Sequence, residues 1–300
     1  MSHVATLIRD PAAPALDAVV VAQASDALPA PSAPSWLAPS VAVDIPFSAK
    51  AASDTRALAA RVREALGGLA VDVVVQPVAH RRKKLLVADM DSTMIGQECI
   101  DELADFAGLK THVAAITGRA MRGEVAFEPA LRERVALLKG LSAASIEQVL
   151  RERITLTPGA RALVATMRAN GGYTCLISGG FTAFVERIAG MIGFDESRSN
   201  LLGLNPDGKL TGLVAEPILG REAKLQALVG LRARLGLAGQ ETMAIGDGAN
   251  DLDMIAEAGL GVAFHAKPKV AAAAAARIDY GDLTALLFAQ GYRRNEFIES

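Results

Sequence analysis

The spacing of apolar positions along the chain changes at about residue 83. From there onward, short apolar runs alternate with longer segments in which apolar residues recur at helical intervals. The runs are LLVAD, YTCLIS, ETMAIGD, GLGVAF and ARIDY. Short buried runs separated by helices are typical of a parallel sheet that helices cover on its faces. The pattern therefore predicts an α/β fold for residues 81–300.

The first two runs are about 80 residues apart, far more than a single crossover helix occupies. Four segments of helical pattern fill the interval: GQECIDELADFAG, THVAAITGRAMRG, EPALRERVALLKG and SAASIEQVLRER. We therefore expect a helical cap to be inserted there, over about residues 97–155. Further along, NPDG at 205–208 lies between two strand-like segments and predicts a hairpin. The alanine run at 271–276 predicts a helix.

Residues 1–80 follow a different pattern, which predicts a small α+β domain. HVATLI, VAVDIPF and VDVVVQPV have the composition of strands, and SDTRALAARVREALGG predicts a helix that Ser53 caps. LDAVVVAQASDAL fits either a strand or a helix, and the proline-rich LPAPSAPSWLAPS predicts a surface connection. The basic run HRRKK at 80–84 then predicts a solvated linker, with an anion-binding site as the alternative.

Composition and charge exclude several classes of partner. The formal net charge of -2 gives no general field for nucleic acid or an anionic membrane, so neither is expected as a partner. The longest apolar runs are about ten residues, and a membrane span needs roughly 20. The first residues, MSHVATLIRDPAAP, lack the pattern of a signal peptide. Cys99 and Cys175 form no disulfide framework, which fits a cytoplasmic location.

Polar clusters follow three of the apolar runs: DMDST, SGGFT and GDGAND. If the strands are parallel, these clusters meet at one edge of the sheet, where Asp89, Asp91, Asp247 and Asp251 would crowd together. Neighbouring carboxylates cost free energy unless they are protonated or neutralised. Mg²⁺ favours carboxylate and phosphate oxygens, and zinc is disfavoured because thiolate and histidine clusters are absent. The alternative is that each aspartate caps a following helix; four of them together favour a metal.

The cluster SGGFT also suggests a phosphate-binding segment. Gly179 and Gly180 allow close approach of backbone, and the helical pattern that follows would present free N–H groups to an anion. Ser178 and Thr182 add hydroxyl donors, and Lys224 offers a cation. Each signal is weak alone, since Ser-Gly-Gly is common in turns and most isolated lysines are solvated. Beside the aspartates, they predict a phosphate site.

Two carboxylates one residue apart can perform both halves of a phosphoryl transfer. Asp89 can attack phosphorus and form an aspartyl-phosphate. Asp91 can give a proton to the leaving oxygen and then take one from water. The pattern therefore predicts phosphate-ester chemistry at the end of the first run.

In order along the chain, DMDST, SGGFT, Lys224 and GDGAND resemble the four motifs of the haloacid dehalogenase-like phosphatases. The first motif of that family has the form DxDx[TV], which Asp89, Asp91 and Thr93 fill. The similarity covers about residues 83–290 and is greatest to members that hydrolyse O-phospho-L-serine. It implies a Rossmann-like parallel sheet with an inserted helical cap. It also implies Mg²⁺-dependent hydrolysis of that substrate through an aspartyl-phosphate, the last step of L-serine biosynthesis.

The resemblance assigns roles to the residues of the motifs. Asp89 would be the nucleophile and Asp91 the general acid and base, with its backbone carbonyl on Mg²⁺. Asp247 would be the other direct protein ligand of the metal, and Asp251 would support the site from behind the ligands. Three residues, Ser178, Gly179 and Lys224, would hold the phosphoryl group. Gly180 would contact the substrate, and Asn250 would help to place the phosphate and Lys224.

The resemblance also implies that the cap recognises an amino acid. Glu98 would bind its ammonium group and Arg134 its carboxylate, and Phe127 and Met121 would pack on its backbone. The alternatives are that Glu98 is a helix-terminal acid and that Arg134 forms a surface pair with a neighbouring glutamate.

In related enzymes, an N-terminal extension of this kind resembles a small amino-acid-binding (ACT-like) domain. We expect residues 1–80 to be a degenerate ACT-like module for regulation or dimerisation, which would give a homodimer. Two other functions remain open. One is a phosphatase or phosphotransferase for phosphothreonine, homoserine or another small phosphate ester. The other is a phosphorelay receiver, which would lack both the cap and the second aspartate.

Overall fold

The computed structural model describes residues 1–50, 53–121 and 124–299, without the side chain of Met121. The N-terminal part consists of β1 (His3–Ile8), α1 (Ala18–Asp26), β2 (Ser35–Ala38), β3 (Ala42–Phe47), α2 (Thr55–Ala65) and β4 (Asp72–Pro77). Its strands pair in the antiparallel order β2-β3-β1-β4. This is the topology of a ferredoxin-like βαββαβ fold, and it confirms the predicted small α+β architecture.

The rest of the chain forms a larger sheet with helices around it. In chain order the elements are β5 (Leu85–Ala88), α3 (Cys99–Phe106), α4 (Lys110–Met121), α5 (Phe127–Leu137), α6 (Ala144–Glu152), α7 (Ala160–Ala169), β6 (Tyr173–Phe181), α8 (Thr182–Ile192), β7 (Glu196–Asn200), β8 (Leu202–Leu204), β9 (Leu210–Val214), α9 (Arg221–Arg234), β10 (Thr242–Gly246), α10 (Leu252–Glu257), β11 (Leu260–Phe264), α11 (Pro268–Ala273), β12 (Ala276–Ile278) and α12 (Ala285–Ala289). Across the parts of the chain that the structure describes, no helix has both the length and the apolar character needed to cross a membrane.

The large sheet is parallel throughout, in the order β12-β11-β10-β5-β6-β7. Each of the five apolar runs forms one of its strands, which confirms the predicted α/β fold. Residues of β5 alternate between two cores: Leu85 and Val87 pack with α9 and α10, and Leu86 and Ala88 pack with α7, α8 and α12. Burial on both faces explains why these strands are continuous apolar runs.

Helices α3–α6 lie between β5 and β6, at the position predicted for the cap. The NPDG turn joins β8 and β9 as predicted, and this hairpin is bonded to the loop between α5 and α6. The backbone N–H of Gly140 donates to Leu210 O at 2.8 Å, and the N–H of Leu210 donates to Leu141 O at 2.8 Å. The hairpin is thus attached to the cap through backbone hydrogen bonds.

Several details of the sequence prediction were wrong, and one segment fitted either a strand or a helix. Asp54, not Ser53, caps α2, because its carboxylate accepts hydrogen bonds from Arg56 N and Ala57 N. The proline-rich stretch contains an edge strand, β2. The ambiguous segment near residue 20 forms helix α1. The alanine run is divided between the end of α11 and the start of β12, and the polar strand β7 was not predicted.

The prediction of a solvated linker at residues 80–84 holds for the exposed His80, Arg82 and Lys84 but was wrong for Arg81 and Lys83. The guanidinium group of Arg81 forms a bidentate pair with Asp44, at 2.6 Å for each bond, and donates to Ala289 O at 2.8 Å. Nearby, the carboxylate of Asp72 accepts backbone N–H groups from the turn after β12, including that of Gly281 at 2.7 Å. Both arrangements join the N-terminal sheet to residues 279–289, near the end of the chain.

We expect Arg81→Ala to lower the free energy of unfolding by about 3 kcal/mol, because it leaves the carboxylate of Asp44 nearly buried without its partner. Urea unfolding measures this value. Lys84→Ala is the matched control, since its pair with Glu241 is at the surface and should contribute about 1 kcal/mol or less. Equal losses in the two variants would contradict a structural role for Arg81.

Candidate active site

Three neighbouring strands end side by side at the carboxyl edge of the large sheet. β5 lies between β10 and β6 in parallel register. Asp89 follows β5, Asp247 follows β10, and residues 178–180 form the last part of β6. The structure therefore brings together the three polar clusters that the sequence places after apolar runs.

An irregular turn over Met90–Met94 begins directly after Asp89 and contains Asp91. Ser92 adopts a left-handed conformation in it, with φ of 55°. The carboxylate of Asp91 accepts a hydrogen bond from the backbone N–H of Cys99 at 3.2 Å. Asp91 thus contacts the first residue of α3, so the helix-capping interpretation applies to Asp91. Its carboxylate lies between the sheet edge and the cap.

A buried lysine neutralises part of the acidic cluster. Lys224 is 0% exposed, and its Nζ lies 2.5 Å from Asp89 Oδ1 and 2.7 Å from Asp251 Oδ1. The other oxygen of Asp251 accepts the N–H of Gly248 at 3.1 Å. Gly246 has to lack a side chain, since an added Cβ would lie 2.4 Å from the Asp251 carboxylate. Lys224 is therefore part of the cluster and not a solvated surface residue.

The ionisation of these groups is strongly perturbed. Burial, followed by the charge of Asp251, raises the pKa of Asp89 well above its ordinary value, and Lys224 opposes that change. Burial also raises the pKa of Asp247 to about 6. For Lys224, burial lowers the pKa, but the charges of Asp89 and Asp251 outweigh it and the net pKa is raised. Lys224 and the exposed Lys267, whose Nζ lies 3.8 Å from Asp247 Oδ2, thus leave the three carboxylates of the cluster with excess negative charge.

The donor set fits a hard divalent cation. One carboxylate oxygen from each of Asp89, Asp247 and Asp251 lies within 4.8 Å of the others, and all three residues are buried. Carboxylate oxygens are the ligands that Mg²⁺ prefers, and its charge would offset the repulsion among them. Both carboxylate oxygens of Asp251 are already bonded, one to Lys224 and the other to the N–H of Gly248, which fits its expected place behind the direct ligands.

The segment Ser178–Gly180 lies beside Asp91. Ser178 is 1% exposed, and its hydroxyl oxygen accepts the N–H of Gly180 at 2.9 Å. A Cβ at Gly180 would be 3.3 Å from Asp91 Oδ2, so glycine permits the close approach. The helix predicted to follow this segment is present as α8, which begins at Thr182, and β6 continues up to Phe181.

Asn250 lies in a short turn between Gly248 and Asp251 and is half-buried. In the described ranges, no hydrogen bond joins its side chain to Lys224, whose partners are Asp89 and Asp251. The role of Asn250 in placing the phosphate stays a prediction.

The cap contributes one acidic and one basic side chain, Glu98 and Arg134, near the carboxyl edge of the sheet. Glu98 immediately precedes α3, but its carboxylate does not cap that helix; it accepts the hydroxyl of Ser92 at 2.9 Å. Arg134, in α5, is half-buried. Burial lowers the pKa of Arg134, and the charges of Asp101, Glu98 and Asp91, in decreasing order, oppose that change.

The other basic residues near Arg134 have separate surface partners. Arg119 pairs with Glu133 at 3.0 Å, and Arg132 pairs with Glu216. Arg134 forms no ion pair with Glu133 or Glu128 in the portion of the chain that the structure describes. The surface-pair alternative for Arg134 is therefore not supported.

Phe127 of α5 packs on two glycines of the sheet domain. A Cβ on Gly179 would lie 3.1 Å from its ring, and a Cβ on Gly220 would lie 3.4 Å from it. The Phe127 ring thus packs against the backbone of the segment Ser178–Gly180. The side chain of Met121, the second residue expected to pack on an amino acid, lies outside the described residues.

Comparison with known proteins gives one family for this fold and site. The family model of haloacid dehalogenase-like hydrolases matches residues 86–256. A phosphoserine phosphatase of Polaromonas sp. is 48% identical over 225 residues, which cover 73% of this chain and 95% of that protein.

Two solved structures match along nearly the whole chain. A haloacid dehalogenase family hydrolase from Salmonella enterica serovar Typhi has a TM-score of 0.83 and 30% identity, covering 98% of this chain and 99% of that one. A probable phosphoserine phosphatase from Vibrio cholerae has a TM-score of 0.77 and 30% identity, covering 98% of this chain and 88% of that one. The N-terminal sheet is therefore included in both matches.

We expect Mg²⁺ to raise the midpoint of thermal unfolding by about 5 °C at concentrations far above its dissociation constant. Asp247→Asn should lose most of this rise, because it removes a carboxylate from the cluster. Asp253→Asn is the control, since Asp253 is close in sequence but pairs with Arg221 at the surface. A rise that is the same in wild type and Asp247→Asn would contradict the assignment of Asp247 to the metal site.

Proposed function

The chain belongs to the haloacid dehalogenase-like hydrolase family, and we propose that it hydrolyses O-phospho-L-serine to L-serine and phosphate. It is a phosphatase, and this activity would complete the biosynthesis of L-serine. The proposal extends to Mg²⁺ as the cofactor and to the roles of the residues at the carboxyl edge of the sheet.

One observation carries the choice of substrate. Glu98 and Arg134 come from the cap and lie near Asp91, so a negative and a positive group face the place where the phosphate ester would react. An amino acid carries the matching ammonium and carboxylate groups, whereas a sugar phosphate carries neither. An arginine can bind a carboxylate with two parallel hydrogen bonds, which adds geometric specificity to the attraction.

The first chemical step would be transfer of the phosphoryl group to Asp89. A carboxylate oxygen of Asp89 attacks phosphorus while the bond between phosphorus and the serine oxygen breaks. Asp91 donates its proton to that oxygen. Burial, and then the charge of Glu98, raise the pKa of Asp91 to about 7, so the proton is available near neutral pH. Lys224, 2.5 Å from Asp89, and Ser178 would bind the phosphoryl oxygens.

The second step would release phosphate. Asp91, now ionised, takes a proton from water as the water oxygen attacks phosphorus, and the bond from phosphorus to Asp89 breaks. When bound, Mg²⁺ would be held by Asp89, Asp247 and the backbone carbonyl of Asp91, and it would neutralise charge on the phosphoryl oxygens. Gly179 and Gly180 would allow the substrate to approach the backbone, and Asn250 would orient the phosphate.

We also infer a cytoplasmic location and a homodimer that forms through residues 1–80. Both cysteines are free and buried, which fits a reducing compartment. The βαββαβ topology of the N-terminal part fits the ACT-like module expected there. Light scattering of the purified chain measures the oligomeric state.

The experiment that tests the substrate is a phosphate-release screen with and without Mg²⁺. Its panel contains phosphoserine, phosphothreonine, phosphohomoserine and small sugar phosphates. Phosphoserine in the presence of Mg²⁺ should give the highest kcat/KM. A higher kcat/KM for a sugar phosphate would contradict the proposal. A higher kcat/KM for phosphothreonine would mean that the substrate is phosphothreonine instead of phosphoserine.

We expect Arg134→Ala to lower kcat/KM for phosphoserine about 30- to 100-fold, the effect of losing a charged hydrogen-bonded pair worth about 2–3 kcal/mol. Turnover of p-nitrophenyl phosphate, which has no carboxylate to bind, should change about threefold or less. Arg132→Ala is the control, because Arg132 pairs with Glu216 at the surface. Equal losses on both substrates in Arg134→Ala would remove this residue from carboxylate recognition.

A further inference from the structure

The phosphate-binding segment lies where the β6–β7 ladder is interrupted. The two strands pair in register up to Ile177, and pairing resumes only at Phe181, opposite Asn200. The backbone of Ser178–Gly180 is therefore not held by regular sheet hydrogen bonds. A segment that has to bind a phosphoryl group at a fixed position needs another source of rigidity.

The side chain of Asn200 supplies a bond at this interruption. Asn200 is 2% exposed, and its Nδ2 donates to Gly179 O at 2.8 Å. The same amide nitrogen donates to Leu219 O at 3.2 Å, and Oδ1 accepts the N–H of Leu219 at 2.6 Å. The side-chain amide of Asn200 thus connects two segments that are distant in sequence. Its NH₂ group donates to both segments, and its oxygen accepts from the second.

The second of these segments leads into the helix that carries Lys224. Leu219 and Gly220 directly precede α9, and the N–H of Lys224 donates to Gly220 O at 3.3 Å. Asn200 therefore fixes the position of Gly179 relative to the first turn of α9. Those two elements carry Ser178 and Lys224, which the proposed function assigns to the phosphoryl group.

The same two segments also contact the cap, through Phe127 of α5. The ring of Phe127 lies against Gly179 and Gly220, the residues that Asn200 holds together directly or through Leu219. Because the Phe127 ring contacts both glycines, the distance between Gly179 and Gly220 influences the position of the cap over the phosphate site.

We propose that Asn200 is a positioning residue for phosphoryl transfer. It does not touch the substrate; it sets the distance between the phosphate-binding segment and Lys224. The inference rests on the proposed function. Neither aspartate nor serine can replace these bonds: aspartate would place a carboxylate against the carbonyl oxygens of Gly179 and Leu219, and serine would be too short to reach both segments.

The chain offers a matched control at the opposite end of the same strand pair. The hydroxyl of Thr174, at the start of β6, donates to the carboxylate of Asp195 at 2.9 Å, directly before β7. Thr174 is fully buried, as Asn200 nearly is, but it lies at the edge of the sheet away from the site. Thr174→Val therefore weakens the link between β6 and β7 without altering the phosphate-binding segment.

The test compares Asn200→Ala, Asn200→Asp and Thr174→Val. For each variant, kcat and KM are measured with phosphoserine and p-nitrophenyl phosphate, together with the inhibition constant of inorganic phosphate and the unfolding midpoint. Both Asn200 variants should lose kcat by about 10- to 100-fold on both substrates, by similar factors, and should bind phosphate more weakly. Thr174→Val should keep kcat within about twofold of wild type at a similar loss of stability.

Two results would overturn the positioning role. One is an Asn200 variant with the kcat and phosphate inhibition of wild type; the other is a Thr174→Val variant with the same loss of kcat. A wild-type chain that releases no phosphate would instead overturn the proposed function, so the two failures are distinguishable.

A measurement on the wild-type chain covers the case in which the Asn200 variants do not fold. Inorganic phosphate with Mg²⁺ should slow hydrogen exchange in the peptide that contains Leu219, because the N–H of that residue is bonded to Asn200. Unchanged exchange at Leu219, with protection of residues 178–180, would contradict the inference.

Discussion

The arrangement of the site depends on one buried ammonium group. Lys224 lies between Asp89 and Asp251 at 2.5 and 2.7 Å, and without it these carboxylates would face each other in a region closed to water. Yet the three carboxylates of Asp89, Asp247 and Asp251 outnumber Lys224 and the exposed Lys267, whose Nζ lies 3.8 Å from Asp247 Oδ2. The site is therefore only partly neutralised by the protein. The remaining negative charge would attract a divalent cation, which also suits a phosphate ester.

The same lysine has to stand at a fixed distance from the phosphate-binding segment, which belongs to a different strand. The chain achieves this with the side-chain amide of Asn200, which bonds to Gly179 and Leu219. The Phe127 ring of the cap lies on Gly179 and on Gly220, the residue after Leu219. The backbone of Gly179 thus links the sheet edge, where the proposed chemistry takes place, to the cap, which would recognise the substrate. In the proposed function, Glu98 and Arg134 would bind the amino acid only when the cap is correctly placed over the phosphate site.

Much of the fold and site could be predicted from the sequence, since strands buried on both faces need consecutive apolar residues and end in polar ones. LLVAD and ETMAIGD therefore identify β5 and β10 together with Asp89 and Asp247. The edge strand β7, ESRSN, is half-exposed and has no such pattern. Asn200 and Arg81 were missed because their partners are distant in sequence: Gly179 is 21 residues away from Asn200, and Ala289 is 208 residues away from Arg81. Patterns of neighbouring residues in the sequence do not predict hydrogen bonds between such distant partners.

The central claim is that Asp89 attacks phosphorus. It is tested most directly by quenching the enzyme in acid within milliseconds of mixing with phosphoserine and Mg²⁺, and by locating phosphate on its peptides by mass spectrometry. The account predicts a phosphorylated peptide containing Asp89 in wild type and none in Asp89→Asn, which should also release no phosphate. Phosphate on another residue, or turnover by Asp89→Asn, would contradict it.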